Sequence, residues 1–204
     1  MSWIQKLYET YEQCAGAVDP IGEKLWPVSH LVKQAHVEVV LDPNGNMRKG
    51  RIKILEGAES ETLIPATEDS ASRAGAKVAP HPLCEEVSYC APELMPSEKY
   101  SAYIDLLMTW CKSEHAHPKA RAVLEYLKKS SLRTDLAEAG IFPVTFTNKR
   151  GQKTKVADDK VFIRWRVEDV ENPCSGTWQD SSLIQAWIKF DSVSNPVDGV
   201  CSVS

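Results

Sequence analysis

The sequence predicts an α+β fold: a mixed or antiparallel sheet of hairpins, a helical middle section and flanking helices. Three observations carry this. Alternating β-type runs cluster at residues 36–64, helix-period runs cluster at 97–140, and strand-type runs return at 142–167 before a last helix. Such grouping, rather than strict alternation of strand and helix, is the mark of segregated α+β architecture. The chain has 204 residues, 43% hydrophobic, 25% charged and 8% aromatic. That is an ordinary globular composition, and it excludes a largely disordered chain, a collagen-like fibre and a disulfide miniprotein. A net charge of -4 argues against a uniformly basic nucleic-acid coat but leaves local cationic surfaces open.

At the start, Ser2-Trp3-Ile4-Gln5 matches a capping box, and Trp3, Leu7, Tyr11 and Cys14 recur at helical spacing. Gly16 and Asp19-Pro20 end that helix. His36 to Leu41 alternates, Asp42-Pro43-Asn44-Gly45-Asn46 is a turn, and Arg51 to Leu55 alternates again. This is the clearest hairpin, with His36, Glu38, Arg51 and Lys53 expected on its outer face. Thr62-Leu63-Ile64 is a third short strand. Residues 1–66 thus read as a helix-plus-hairpin part. Residues 67–82 are small and polar with almost no apolar period, which predicts a long exposed loop.

Ser97 is expected to cap a helix to about Lys112, with Tyr103, Leu107 and Trp110 inward. Pro118 at a first-turn position starts another. Thr134 is expected to cap a short one that Gly140 stops. Residues 97–140 form the helical section. Residues 141–204 hold a strand from Phe142 to Thr147, a basic turn, and Val161 to Val167 with Ile163 and Trp165 on one face and Phe162, Arg164 and Arg166 on the other. Asp180 or Ser181 then caps a helix carrying Leu183 and Trp187, and a short apolar run, Val200 to Val203, ends the sequence.

Six cysteines lie at 14, 84, 90, 111, 174 and 201, with no Cys-x-x-Cys pair. Reduced thiols in a cytoplasmic protein are expected. The start lacks the cationic-then-apolar pattern of a secretory signal, and no apolar stretch approaches the roughly 18 residues of a membrane helix.

Charge is segregated along the chain. Asn148 to Arg166 holds seven basic residues against two acids, and Met47 to Lys53 adds Arg48, Lys49, Arg51 and Lys53 with no acid. A basic hairpin can track a phosphate backbone, with salt-dependent affinity from released counterions. The same lysines also suit a solvated tip that protects a sheet edge. Cys111 and His115 fall four residues apart, as a metal pair would, but no partner set is evident, and a core thiol is the plainer reading. His81 with Cys84 lacks the helix N-terminus that activates a thiol. Glu68-Asp69 and Glu85-Glu86 are sequence neighbours whose side chains point apart on a strand or loop, which makes them poor acid/base pairs. No phosphate-binding, nucleophile-elbow or zinc-protease motif occurs. Neither catalysis nor a cofactor is expected.

In the 67–82 segment, Thr67, Glu68, Asp69, Ser70, Ser72 and Arg73 crowd hydroxyls, carboxylates and a guanidinium into seven positions. Such groups bond phosphates or base edges. The run from Thr67 to Arg73, with Pro80-His81-Pro82-Leu83 after it, resembles the large subunit of the type I-C (Dvulg-subtype) CRISPR surveillance complex. The opening Trp3 to Tyr11, the 42–46 turn, Phe162 to Val167 and Trp178 to Phe190 are similar to that family in the same order. The resemblance implies the N-terminal portion of a longer, several-hundred-residue subunit without its helical C-terminal part. It also implies a non-catalytic, cytoplasmic role in antiviral defence: reading a protospacer-adjacent motif in double-stranded DNA, with partners that include guide RNA, neighbouring complex subunits and a recruited helicase-nuclease. Contacts are expected from Thr67, Ser70, Ser72, Arg73 and Lys77 in a groove, and from Lys149, Arg150, Lys153 and Lys155 along the backbone. Glu68 and Asp69 are expected to orient Arg73 or to hold the loop through backbone amides. Two other classes stand beside this one: an assembly module on the guide-RNA 5′ handle, and a stand-alone metal-dependent nuclease.

Overall fold

The computed structural model describes residues 3–14, 25–92, 98–148, 150–170 and 174–195. In order these form α1 (Trp3–Cys14), β1 (His30–Gln34), β2 (Val37–Leu41), β3 (Met47–Ile54), β4 (Glu61–Pro65), α2 (Glu68–Ala71), β5 (Cys84–Glu86), α3 (Val87–Cys90), α4 (Glu98–Lys112), α5 (Pro118–Leu127), α6 (Leu132–Glu138), β6 (Thr145–Thr147), β7 (Lys153–Lys155), β8 (Phe162–Val167) and α7 (Ser181–Ser194). The predicted class holds: helices and open mixed sheets make an α+β fold.

The central sheet runs β3-β2-β8-β5. Its β2–β3 and β5–β8 pairs are antiparallel and its β2–β8 pair is parallel. Alternation decides which face each side chain meets. Val37, Val39, Leu41, Ile163, Trp165 and Val167 face the helices and are buried with Tyr103, Leu107 and Trp110 of α4, Val123 and Tyr126 of α5, and Trp187 of α7. Trp110 meets Trp187 edge-to-face at 5.0 Å, and Tyr126 meets Trp165 at 5.5 Å, the offset geometry that aromatic quadrupoles favour.

The other face of the sheet is covered by a two-stranded ribbon of β1 and β4, over a small core of Ala35, Leu55, Ile64 and Cys84. This cover corrects the expected outer face of the hairpin. Arg51 and Lys53 are exposed, but Glu38 is buried at 4% exposure. A buried carboxylate needs partners. Its Oε2 accepts from Arg164 Nη2 at 2.7 Å and Nε at 3.0 Å, and its Oε1 accepts from Arg166 Nε at 2.9 Å. Arg164 also donates to the Glu59 carbonyl at 2.7 Å, which ties sheet to ribbon, and its guanidinium lies 3.8 Å from the Trp178 ring centre. Burial pushes the Glu38 carboxyl up, yet the two arginines outweigh it and hold the group below its ordinary value.

Further differences are local. The 42–46 turn docks on α5, where a Cβ at Gly45 would meet the Ala122 carbonyl, and just past the helix Lys129 Nζ donates to the Gly45 carbonyl at 2.6 Å and to Asn46 Oδ1 at 2.7 Å. Helix α6 starts at Leu132 behind Ser131, not at Thr134, which lies inside it. Strand β6 begins only at Thr145, because Pro143 supplies no amide hydrogen to a ladder. Asp180, rather than Ser181, caps α7, accepting from the Ser182 amide at 3.0 Å and the Leu183 amide at 3.3 Å. Ser2, Ser97 and the run from Val200 to Val203 lie outside the described residues.

Candidate nucleic-acid interface

Residues 67–82 are not a uniformly exposed loop. The segment opens with a reciprocal cap. Thr67 Oγ1 accepts from the Ser70 amide at 3.1 Å, and Ser70 Oγ accepts from the Thr67 amide at 2.9 Å. Ser70 is buried by that exchange, at 2% exposure. The middle of the segment, Ala74 to Lys77, is exposed, and the end, Ala79 to Leu83, is buried again.

The anchor is an ion pair. Arg73 Nη1 donates to Glu85 Oε2 at 2.7 Å and to the Ala79 carbonyl at 2.9 Å, and Nη2 donates to Glu85 Oε1 at 3.0 Å. Both terminal nitrogens are therefore engaged inside the protein, and the guanidinium stands 5.0 Å from the Tyr89 ring centre. Glu85 has no exposed side chain at all. It also accepts from the amides of His81 at 2.7 Å and Glu86 at 2.8 Å, so one carboxylate takes four hydrogen bonds from three points of the chain. The orienting role expected of Glu68 and Asp69 falls instead to Glu85. Asp69 pairs with Lys77 at 2.6 Å, and the Glu68 carbonyl accepts from Ser72 Oγ at 2.9 Å. Of the predicted groove residues, Ser72 and Lys77 are exposed, Thr67 and Arg73 are half-buried and Ser70 is buried.

His81 and Cys84 make no reactive pair. Burial pulls the His81 imidazole down to about 3, with Arg73 and Lys33 adding repulsion, and burial pushes the Cys84 thiol far up. A protonated, fully buried thiol is no nucleophile. Helix α4 ends at Lys112, so Cys111 and His115 do not share a helical face. His117 instead caps α5, its Nδ1 accepting from the Lys119 amide at 3.2 Å. Among the described residues no group of three or more His, Cys, Asp or Glu side chains is placed to hold a metal ion.

The basic segment folds as a short hairpin. β6 and β7 pair antiparallel, with Thr145 opposite Lys155 and Thr147 opposite Lys153. Asn148 builds the turn by accepting from the amides of Arg150 at 2.9 Å and Gln152 at 3.0 Å through its side-chain oxygen. Arg150, Lys153 and Lys155 are exposed, and none of them makes an ion pair among the described residues. Lys149 lies outside the described residues. The hairpin is rooted by Phe146, whose ring meets His36 at 4.8 Å, and by Thr147, which donates to Glu56 at 3.0 Å. His36 Nδ1 in turn accepts from the amide of Phe162, the residue opposite Glu86 in the sheet. Both predicted elements are thus fixed to neighbouring residues of the β5–β8 pair: Arg73 at Glu85, and the hairpin through His36 at Phe162.

The structure adds two charged groupings that sequence reasoning missed: the Glu38–Arg164–Arg166 cluster, and Lys119, whose ammonium contacts Asp180 and the Cys174 carbonyl. The signal for the first was available, since Arg164 and Arg166 alternate with core residues on one strand. Lys119 and Asp180, far apart in the chain, left no such trace.

Among the described residues no helix is long and apolar enough to cross a membrane. No curated protein matches the chain. Residues 7–204 match the family described as CRISPR-associated protein (Cas_Csd1), and the chain belongs to that family.

Proposed function

We propose that this chain is a non-catalytic DNA-recognition part of an RNA-guided CRISPR interference complex, belonging to the large subunit of a type I-C assembly. In this reading it binds double-stranded target DNA and reads a short protospacer-adjacent motif while guide RNA pairs with the target. The observation that carries the reading is the β6–β7 tip. Arg150, Lys153 and Lys155 stand on a rooted hairpin without carboxylate partners among the described residues, as phosphate binding requires. Within 67–77, Ser72 and Lys77 are exposed; Ser72 donates to the Glu68 carbonyl and Lys77 pairs with Asp69 at the surface, a weak pair that a phosphate can displace, while Arg73 braces the segment from beneath. Guide RNA, neighbouring subunits and a recruited helicase-nuclease are the proposed partners, and the protein works in the cytoplasm.

The test is a binding titration on duplexes with and without the motif, over a range of salt. Lys153→Glu should weaken binding to every duplex and flatten the salt slope by about 0.9 for each phosphate it no longer neutralises. Ser72→Ala with Lys77→Ala should narrow the gap between motif and non-motif duplexes. If Lys153→Glu leaves duplex affinity and slope unchanged, the hairpin does not lie on DNA.

A further inference from the structure

The basic run at Arg48–Lys53 is not absorbed by that reading, and the structure gives it an unexpected form. Strand β3 pairs with β2 through Val39 opposite Ile52, and next through Leu41 opposite Met47. Four residues, Arg48 to Arg51, therefore stand opposite the single Val40. This is an irregular, four-against-one bulge at a sheet edge, a device that re-aims side chains. Gly50 makes it possible by adopting φ +74, with open space where a side chain would stand. All four bulge residues are exposed, and Arg48 and Lys49 make no ion pair among the described residues.

Beside the bulge lies an open cleft of about 330 Å³, lined by Val40, Gly50, Arg51, Ile52, Lys53 and Arg166, with Glu38 at its base. Glu38 is occupied by Arg164 and Arg166, so it does not repel an incoming anion as a bare carboxylate would. Arg51 pairs with Glu168 and Lys53 with Glu59, with the arginine and lysine side chains 58% and 51% exposed. Exposed pairs of this kind hold weakly and exchange readily for a phosphate. Arginine's fork suits phosphate oxygens, and the side-chain-free backbone at Gly50 permits close approach.

We infer that the Arg48–Arg51 bulge and its cleft form a second nucleic-acid site, which grips the phosphates of a single strand. A single strand is favoured because the body of a duplex does not enter a cleft of this size, whereas one sugar-phosphate unit does. The site shares no residue with the 145–155 hairpin, so variants in one leave the other intact and this inference and the duplex reading fail independently.

The experiment measures binding of labelled oligouridylate, oligothymidylate and a short duplex to the whole chain by fluorescence anisotropy across a salt series. The paired change Arg48→Ala with Lys49→Ala breaks no internal ion pair and should preserve the circular dichroism spectrum. Single-strand binding should fall about tenfold and the salt slope should flatten by about 1.4, the value for two single-strand phosphates left unneutralised. Duplex binding should hold. Arg51→Gln should reduce single-strand affinity through the cleft itself. Tighter binding of oligouridylate than of oligothymidylate assigns the site to RNA, and equal binding assigns it to phosphate alone; both agree with the inference. Unchanged single-strand binding in both variants overturns it. So does an equal loss in the charge-matched control Arg121→Ala with Lys128→Ala. Displacement of the oligonucleotide by polyglutamate as readily as by unlabelled strand also overturns it, in favour of an acidic protein segment.

Discussion

Replacing Arg73 by alanine is expected to unfold the protein more readily rather than simply to weaken DNA binding. The substitution removes three hydrogen bonds at 2.7, 2.9 and 3.0 Å. It leaves Glu85, with a fully buried side chain, held only by the amides of His81 and Glu86. Breaking a buried ion pair from one side costs about 3–5 kcal/mol, most of it from the stranded charge. The missing stack on Tyr89 adds about 0.5–1 kcal/mol. Burial already pushes the Glu85 carboxyl up, and Arg73 is the chief opposing influence. In the variant the carboxyl rises further and can escape the penalty by taking a proton. A group whose folded pKa lies above its unfolded value contributes stability at low pH and loses it as pH rises. The destabilisation should therefore be larger at pH 8 than at pH 5, and Glu85→Gln in the Arg73→Ala background should recover part of it. Urea unfolding at the two pH values measures this. A loss under about 1 kcal/mol, paired with a sharp fall in duplex affinity, would give the guanidinium to DNA and refute the bracing role.

Three other outcomes are expected. Glu38→Gln should lower stability by about 3–5 kcal/mol in urea melts, because it strips the counter-charge from Arg164, whose side chain is only 3% exposed; a change below about 1 kcal/mol would mean that the two arginines are satisfied elsewhere. Gly45→Ala and Gly50→Ala should separate two effects: both glycines have φ near +70, about 1–2 kcal/mol of strain for alanine. At Gly45, though, the new Cβ would stand 2.5 Å from the Ala122 carbonyl, so its melting point should fall well below that of Gly50→Ala, and equal shifts would deny the close approach. Acidification should lower the melting temperature in two stages. The imidazoles of His30, His36, His81 and His117 are held below 6.5 by burial, so the unfolded chain takes up protons first and stability drains as pH falls below about 6.5, for His81 down to about 3. Burial raises the Asp180 and Glu38 carboxyls, but hydrogen bonds from Lys119 and the two arginines outweigh it and depress both, so their contribution is present above about pH 4 and lost beneath it. His81→Leu should shallow the first stage, and an unaltered profile would count against a buried neutral imidazole.

The β2–β3 hairpin and β8 were legible because alternation at period two survives in a sheet that is apolar toward the helices. The same alternation placed Glu38 opposite the core but could not show that β1 and β4 cover that second face, since their pairing brings together His30 and Pro65, far apart in the chain. The 67–82 segment misled for a related reason. Its apolar content is low, yet Arg73 and Glu85 bury its end with hydrogen bonds rather than hydrocarbon, and ion pairs between loop and strand leave no periodic trace. The Asn148 turn, by contrast, is a local device, and its residues alone foretold the exposed basic tip. The strand itself starts four residues before the alternating run from Arg51, and the bulge at Arg48–Arg51 left no trace because those residues do not alternate and their partner's register is not written in the sequence.

The partners of Glu38 lie 126 and 128 residues downstream. During translation the hairpin can leave the ribosome long before Arg164 and Arg166 exist. At roughly 5–20 residues per second, that interval lasts on the order of ten seconds. Throughout it the nascent hairpin has no parallel neighbour along β2 and no countercharge for its inward carboxylate, so the final sheet must wait for β8. A protein wired this way matures late on the ribosome, and it is in that interval that a chaperone has most to shield.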